Sequence, residues 1–223
     1  MRILSFDVGG SKIAYAFVDE KGYLLSEVKT LPTPKTVAEI ENVFRKVTSE
    51  GSFDGFALAT AGVVFANKLA GKPNNLPSGY ENIDFTKILE VPFVIENDAN
   101  SAMWAEYKVG GLQEAEHGIM LTLGTDVGCG IICNGQILRG KCGAAGEVCF
   151  DCSGRSLQRI AAECGSKECD CYTIYDLALK KNDAERKAYK KWQENLLESI
   201  LELNRILDTE IIVLSGSLAK IVD

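Results

Sequence analysis

Histidine is nearly absent from this chain of 223 residues, proline is sparse and positive charge is in deficit: one His, five Pro, and 24 Lys and Arg against 31 Asp and Glu. The lone His117 reads as a surface residue in a linker, and one histidine supplies no Ser-His or Cys-His catalytic pair. A net charge of −7 argues against a nucleic-acid surface, which needs clustered Lys and Arg to meet phosphates. Lys180, Lys181, Arg186, Lys187, Lys190 and Lys191 do gather, but Asp183, Glu185 and Glu194 interleave with them, the pattern of a solvated helix face. No apolar run reaches membrane-spanning length, and the N-terminus enters a strand pattern without the basic and apolar regions of a signal peptide. The expectation is a cytoplasmic protein with neither membrane nor nucleic-acid partners. In that compartment the eight cysteines are thiols or metal ligands before they are disulfides. Hydrophobic residues make up 46% of the chain, enough for a real core in one large domain or two small ones.

What the chain does have is one pattern used twice. Leu4-Ser5-Phe6-Asp7-Val8-Gly9-Gly10-Ser11-Lys12-Ile13-Ala14 and Leu123-Gly124-Thr125-Asp126-Val127-Gly128-Cys129-Gly130-Ile131-Ile132 each read as an apolar strand, an Asp-Val-Gly turn and a second apolar strand. Glycine at such a tip permits φ > 0 and lets main-chain N–H groups crowd round an anion. Either hairpin alone reads as an ordinary glycine turn. The pair, together with a third motif at Glu96-Asn97-Asp98-Ala99-Asn100, points to two halves clasping one polyphosphate.

Three strands in meander are predicted over 3–6, 13–18 and 23–29, then an amphipathic helix carrying Val37, Ile40, Val43, Phe44 and Val47. A strand over 53–60 precedes a long irregular segment, 72–82, of a kind that in compact proteins more often carries function than not. A buried strand over 93–95 leads through Glu96-Asn97-Asp98 into a helix over 99–107. The plan restarts at Gly118 with strand, glycine turn, strand, an Asn134-Gly135 turn and a strand over 137–139. Helices over 157–163, 174–179 and 183–207 follow, with Trp104 and Trp192 as core or interface aromatics, and a strand over 211–214 runs into Ser215-Gly216-Ser217. The expected fold class is α/β, two similar halves at 1–110 and 111–223 with a cleft between them, joined near Gly110-Gly111.

Asp7 ends the first strand, where a carboxylate can meet the Mg²⁺ of a nucleotide directly or through water. Gly9, Gly10 and Ser11 offer N–H groups and a hydroxyl, and Lys12 adds charge; at the second turn Gly124, Thr125, Gly128 and Gly130 cradle the remaining phosphates. Asp126 has two readings of equal weight, a second metal neighbour or a residue that tolerates a left-handed turn. Asp98, at a strand-to-helix junction, can take the proton of a substrate hydroxyl as it attacks a γ-phosphate, and Asn97 can hold a neighbouring hydroxyl. Either side chain can also cap the helix that follows.

Together these residues resemble the ROK (repressor, open reading frame, kinase) family of sugar kinases, within the actin-like ATPase superfamily. Asp7-Val8-Gly9-Gly10-Ser11-Lys12 is similar to the family's Asp-x-Gly-Gly-Thr-Lys, Glu96 to Asn100 matches its Glu-Asn-Asp-Ala-Asn, and Gly124 to Gly130 resembles its Gly-Thr-Gly-x-Gly-x-Gly. Asn134-Gly135 through Gly140, Gly143 and Gly146-Glu147 resembles the glycine run that follows, and Ser215-Gly216-Ser217 the late adenosine loop. The resemblance implies an actin-like (ribonuclease H-like) fold and ATP-dependent phosphorylation of a hexose or N-acetylhexosamine hydroxyl, as in glucokinases, with ATP and Mg²⁺ as cofactors. It implies Asp98 as general base, Asn97 and Glu147 on sugar hydroxyls, Asn75 to Tyr80 lining the sugar pocket, Ser215 and Gly216 on the adenosine, and a homodimer as a candidate assembly. Two alternatives stand beside it: a catalytically weak sugar- or nucleotide-binding regulatory protein, and a different actin-like ATPase, the latter supported only by Asp126. Repressors of the family carry a helix-turn-helix before the first phosphate motif, and the present sequence starts at that motif, so direct DNA binding is not expected.

The departures from the family pattern are as specific as the matches. Phe150 stands where the family has a sugar- and zinc-touching His, and Cys152-Ser153-Gly154-Arg155-Ser156-Leu157 already resembles the helix beyond the zinc loop, so the zinc module looks deleted and structural zinc is not expected. The sequence ends shortly after Ser217, where the family adds a helix and a strand, so the adenine side is expected to be incomplete. Cys149, Cys152, Cys164, Cys169 and Cys171 read as free thiols in preference to a four-thiolate site, because the family spacing is lost.

Overall fold

Apolar side chains at Leu4, Phe6 and Val8 alternate with Ser5 and Asp7, and this period of two makes a strand, β1 (Arg2–Val8), that is buried on one face only. The computed structural model, which describes residues 1–222, places β1 at the centre of a five-stranded sheet. On one side it pairs antiparallel with β2 (Lys12–Asp19), which in turn pairs with the edge strand β3 (Lys29–Pro32). On the other it pairs parallel with β4 (Gly55–Thr60). Helix α1 (Val37–Thr48) connects β3 to β4; Thr36 and Glu39 cap it reciprocally, and its Ile40, Phe44 and Val47 reach the core. There Phe44 meets Phe6 and Phe85 at ring-centroid distances of 5.1 and 5.2 Å. Burial of this kind makes truncation of a core Phe cost about 3–5 kcal/mol.

The third meander strand predicted over 23–29 forms later, at Lys29–Pro32. Asp19 Oδ1 accepts from the main-chain N–H groups of Lys21 and Tyr23, and Ser26 Oγ takes the N–H of Phe17 at 3.0 Å. These side-chain acceptors fill positions that a regular ladder would need, so beyond a single bridge between Val18 and Leu24 the chain forms no strand, Tyr23, Leu24, Leu25 and Val28 stay exposed, and the regular ladder resumes at Lys29. Pro32 is tolerated because β3 is an edge strand. A short hairpin, β5 (Val64–Phe65) and β6 (Lys68–Leu69), precedes the irregular segment, and β7 (Phe93–Asn97) closes the sheet beside β4 before α2 (Asp98–Val109).

A second sheet repeats the scheme with its own residues. β8 (Gly118–Leu123) pairs antiparallel with β9 (Val127–Cys133) and parallel with β11 (Ile211–Ser215), while β10 (Gln136–Ile137) extends β9 across the Asn134-Gly135 turn, both of whose residues have positive φ. β10 ends two residues earlier than the predicted 137–139. Helices α3 (Gly154–Glu163), α4 (Cys171–Leu179) and α5 (Asp183–Leu207) pack on this sheet, with Trp192 fully buried and its indole N–H donated to the Ser153 carbonyl at 3.1 Å. Trp104, by contrast, is exposed on α2 under the Lys108 ammonium, so it belongs to no core. The cluster of basic residues lies on the exposed face of α5 and just ahead of it, with Arg186 paired to Asp183.

The chain divides into two compact units, one of residues 1–101 with 139–145, the other of 102–138 with 146–222. The division falls inside α2 instead of at Gly110-Gly111, because Met103 packs with Leu112, Met120 and Ile132 of the second unit, while residues 139–145 pack with the first. Among the described residues no helix is long and apolar enough to cross a membrane.

Candidate nucleotide and sugar sites

In the first unit the carboxyl ends of β1, β4 and β7 finish together, which is where open α/β sheets bind ligands. Asp7, Ala59 and Glu96 share one row of the ladder, and Val8, Thr60 and Asn97 the next. Asp7 is thereby close enough to Asp98 to feel its charge. Partial burial raises the Asp7 pKa, the Asp98 charge raises it further, and Lys12 acts against both. Asp98 is raised chiefly by the protein mass around it, against the N–H of Ala99, which donates to its Oδ1 at 2.9 Å; its carboxylate nevertheless opens to solvent.

The helix cap and the carboxylate are separate jobs here. Asn97 Oδ1 accepts from the Asn100 N–H at 3.0 Å, so Asn97 is the cap of α2, and its Nδ2 donates to the Gly62 carbonyl at 3.0 Å. Glu96 fixes the same junction. Its Oε1 accepts from the Asn97 N–H and from Asn100 Nδ2, and its Oε2 takes Arg139 Nε at 3.1 Å and Nη2 at 2.5 Å. Sequence reasoning missed Arg139, whose partner lies 43 residues away. Asn100 Oδ1 is the one buried side-chain polar atom without a hydrogen-bond partner among the described residues.

The turn Gly9–Lys12 is closed by the Gly9 N–H donating to the Lys12 carbonyl at 3.0 Å, so that N–H is spent inside the turn and is not offered to an anion as expected. Thr33, also missed, braces the turn by donating its hydroxyl to the Gly9 carbonyl and its N–H to the Ser11 carbonyl. Neither Gly9 nor Gly10 has positive φ, so the left-handed tip expected of the first turn is not formed. Gly10 is required by close approach instead: a Cβ there would lie 2.6 Å from Asn75 Cβ and 2.8 Å from its carbonyl oxygen. The segment 72–80 is anchored in the core by Leu76 and by Tyr80, which is fully buried with its hydroxyl 3.0 Å from Thr60 Oγ1. Tyr80 is therefore core, not pocket wall, while Asn75 stays exposed. The first unit thus brings Asp7, Gly10, Asn75, Asn97 and Asp98 to one edge.

In the second unit the turn between β8 and β9 is Gly124-Thr125-Asp126, closed by the Gly124 N–H on the Asp126 carbonyl at 3.1 Å. Gly128 and Gly130 are not at its tip. They lie in the β9 ladder opposite Thr122 and Met120, and Gly130 is buried. Asp126 has no positive φ, so the left-handed reading falls; its Oδ1 is bound by Arg155 Nη1 at 3.0 Å. The first two N–H groups of α3 donate to the turn, Gly154 to the Gly124 carbonyl at 2.8 Å and Arg155 to the Thr125 carbonyl at 3.3 Å. Ser215 pairs beside Thr122, and Gly216, at φ +87°, has Leu123 main chain where a Cβ would stand, so the late loop lies directly against the strand that feeds the turn. Glu147 is exposed and follows Gly146, whose φ of +91° and contact with the Cys129 carbonyl admit only glycine.

Burial pushes the Cys152 and Cys171 thiols up in pKa, and they approach Ser199 Oγ and the Gly154 carbonyl at 3.9 and 3.5 Å; Cys149 and Cys169 are exposed. Among the described residues no three His, Cys, Asp or Glu side chains gather as a metal-binding group.

The ROK family model matches residues 3–150. Glucokinase of Streptomyces coelicolor is 34% identical over 175 residues, covering 74% of this chain and 54% of that enzyme, so the chain matches about half of its length. N-acetylmannosamine kinase of Yersinia pestis is 26% identical over 244 residues, covering 96% of this chain and 82% of that one. The solved structure of a ROK family protein from Streptococcus pneumoniae in complex with sucrose superposes with a TM-score of 0.87 at 24% identity, covering 99% of this chain and 82% of that chain. With an actin-like ATPase fold and a family match over residues 3–150, the chain belongs to the ROK family.

Proposed function

We propose that the protein is an ATP-dependent sugar kinase that phosphorylates a hydroxyl of a hexose or N-acetylhexosamine. The observation that carries this is the pair Asp7, at the carboxyl end of β1, and Asp98, which opens α2 directly after β7, brought to one sheet edge with β4 between the two strands and with the Asp98 charge raising the pKa of Asp7. Asp98 accepts the proton of the sugar hydroxyl; the hydroxyl oxygen then forms a bond to the γ-phosphorus as the bond to the bridging oxygen breaks and ADP leaves. Asn97, held by Gly62 and the helix it caps, orients a neighbouring hydroxyl, with Asn75 and Glu147 as further sugar contacts.

The donor set fits a hard divalent cation. Carboxylate oxygens that repel one another at an exposed edge suit Mg²⁺, and Asp7 would hold it through the nucleotide. When bound, the ion neutralises phosphate charge that develops during transfer. Gly10, Ser11 and Lys12 of the first turn and Gly124 and Thr125 of the second are the proposed phosphate contacts, with Ser215 and Gly216 on the adenosine. Structural zinc has no part in this reading, because the cysteines lack the spacing of the family's zinc loop.

The relatives' names support two acceptor classes, glucose and N-acetylmannosamine. A coupled ADP-release assay across glucose, fructose, mannose, N-acetylglucosamine and N-acetylmannosamine tests the proposal: sugar-dependent ADP release supports it, and sugar binding without turnover favours the regulatory alternative.

A further inference from the structure

The turn Gly9–Lys12 closes on itself only half-way. In a two-residue hairpin loop the flanking residues exchange two main-chain bonds. One is made here, the Gly9 N–H on the Lys12 carbonyl at 3.0 Å; at the other position the Gly9 carbonyl takes Thr33 Oγ1 at 2.6 Å in place of the Lys12 N–H. The Thr33 N–H donates to the Ser11 carbonyl at 3.1 Å, so one residue holds two carbonyls of the turn on its own side. The C=O and N–H of a trans peptide unit point in opposite directions, which turns the Gly10 and Lys12 N–H groups away from Thr33. Thr33 is itself held in place: it is only 6% exposed, its β-branch stiffens the side chain, and Pro34 after it keeps its backbone extended.

We propose that Thr33 is a positioning residue for polyphosphate binding, whose hydroxyl keeps the Lys12 N–H out of the turn's own closure and leaves it, with the Gly10 N–H, directed at an anion. Thr33 acts through the turn and touches no phosphate itself. Without the hydroxyl the Gly9 carbonyl is left to take the Lys12 N–H, which completes a regular hairpin and withdraws that donor. The proposal rests on the reading of Gly9–Lys12 as a phosphate turn.

The test compares Thr33→Val, which keeps the shape and loses the donor, with Thr33→Ser, which keeps the donor and loses a methyl group. ATP with Mg²⁺ and inorganic tripolyphosphate are titrated calorimetrically, at a temperature where thermal melts show every form folded. Thr33→Val is expected to weaken both ligands by about tenfold, the size of one charge-assisted hydrogen bond, and Thr33→Ser to stay within about threefold of the unaltered protein. Hydrogen exchange at the Lys12 amide separates recapture of this N–H from loosening of the turn: it slows in Thr33→Val on recapture, and exchange as fast as in the unaltered protein or faster would overturn the proposal. Unchanged affinities in Thr33→Val would also overturn it, whatever the melting temperature does, as would an equal loss in the valine and serine variants. Should Thr33→Val not fold, Thr33→Ala takes its place against Thr33→Ser. If the unaltered protein binds neither ATP nor tripolyphosphate, the phosphate-turn reading fails and takes the role of Thr33 with it; if it binds both and Thr33→Val binds them equally well, only the role of Thr33 fails.

Discussion

Gly10 lies so close to Asn75 that a single added methyl group would sit 2.6 Å from the Asn75 side chain. The first turn and the segment 72–80 therefore share one boundary, and the residue that separates them must be glycine. From sequence, a side chain at Gly10 is expected to collide with a phosphate oxygen; in the structure its first obstacle is protein.

Gly10→Ala is accordingly expected to raise the KM for sugar at least as much as the KM for ATP, by displacing Asn75, and to destabilise the fold by about 1–3 kcal/mol as overpacking does. Steady-state kinetics with each substrate varied, alongside a thermal melt, measure both effects. A rise confined to the KM for ATP would return the residue to a purely phosphate-side role.

Asp98→Asn is expected to lower kcat by about 10²- to 10⁴-fold while leaving sugar affinity nearly unchanged, since it removes the base and keeps the shape. It should also stabilise the protein at neutral pH. Burial raises the pKa of Asp98 in the folded state above its unfolded value, so between those two values the folded state binds the proton more strongly, and stability falls as pH rises through that window. Above it the ionised carboxylate is a standing penalty that Asn lacks; below the unfolded value the carboxyl is neutral in both states and the two proteins should melt alike. Thermal melts from about pH 3 to 8 check this. The same raised pKa places the acid limb of the kcat profile above the ordinary carboxylate range, and a limb at an unshifted position would argue against Asp98 as the base.

Gly216→Ala is expected to be poorly tolerated for two reasons at once. Its φ of +87° strains any L side chain, and Leu123 main chain occupies the space where Cβ would go. Displacement of this loop from β8 should raise the KM for ATP and leave the KM for sugar alone. An equal rise in both constants would show general loosening instead of a nucleotide-side defect.

Much of this was legible in the chain because short-range rules decide it. The alternation in Leu4 to Val8 made β1, the Asn134-Gly135 dipeptide made its turn with positive φ at both residues, and α5 spans the predicted 183–207. The gathering of Asp7, Asn97 and Asp98 could also be expected, since the parallel strands β1, β4 and β7 end along one edge of the sheet. What failed depended on contacts that no local pattern encodes. Ser26 takes a ladder position and delays β3, the spacing of Gly128 and Gly130 suits a loop as well as a strand, and the Asp126 partner lies 29 residues away on a helix. Thr33 and Arg139 carry no motif at all and emerge only when the fold brings them to Gly9 and Glu96.

Arg139 bears on catalysis from outside every motif. Its guanidinium holds Glu96 Oε2 through Nε and Nη2, while Glu96 Oε1 holds the Asn97 N–H and Asn100 Nδ2. Arg139 is thus a positioning residue for the junction that presents Asp98, two contacts removed from any reacting atom. Glu96 is largely covered, at 19% exposure, so loss of its partner leaves a poorly hydrated charge and should cost about 1–3 kcal/mol. Arg139→Ala is expected to lower kcat by about tenfold while the KM for ATP stays within about twofold, since one strained or lost orienting contact of this size corresponds to about 1.4 kcal/mol in the barrier. Arg139→Lys supplies the charge but not the two-pronged grip, and should recover stability better than it recovers kcat. Equal recovery of both by lysine would mean that Arg139 serves only as a counter-charge, and an unchanged kcat in Arg139→Ala would remove it from the positioning of Asp98 altogether.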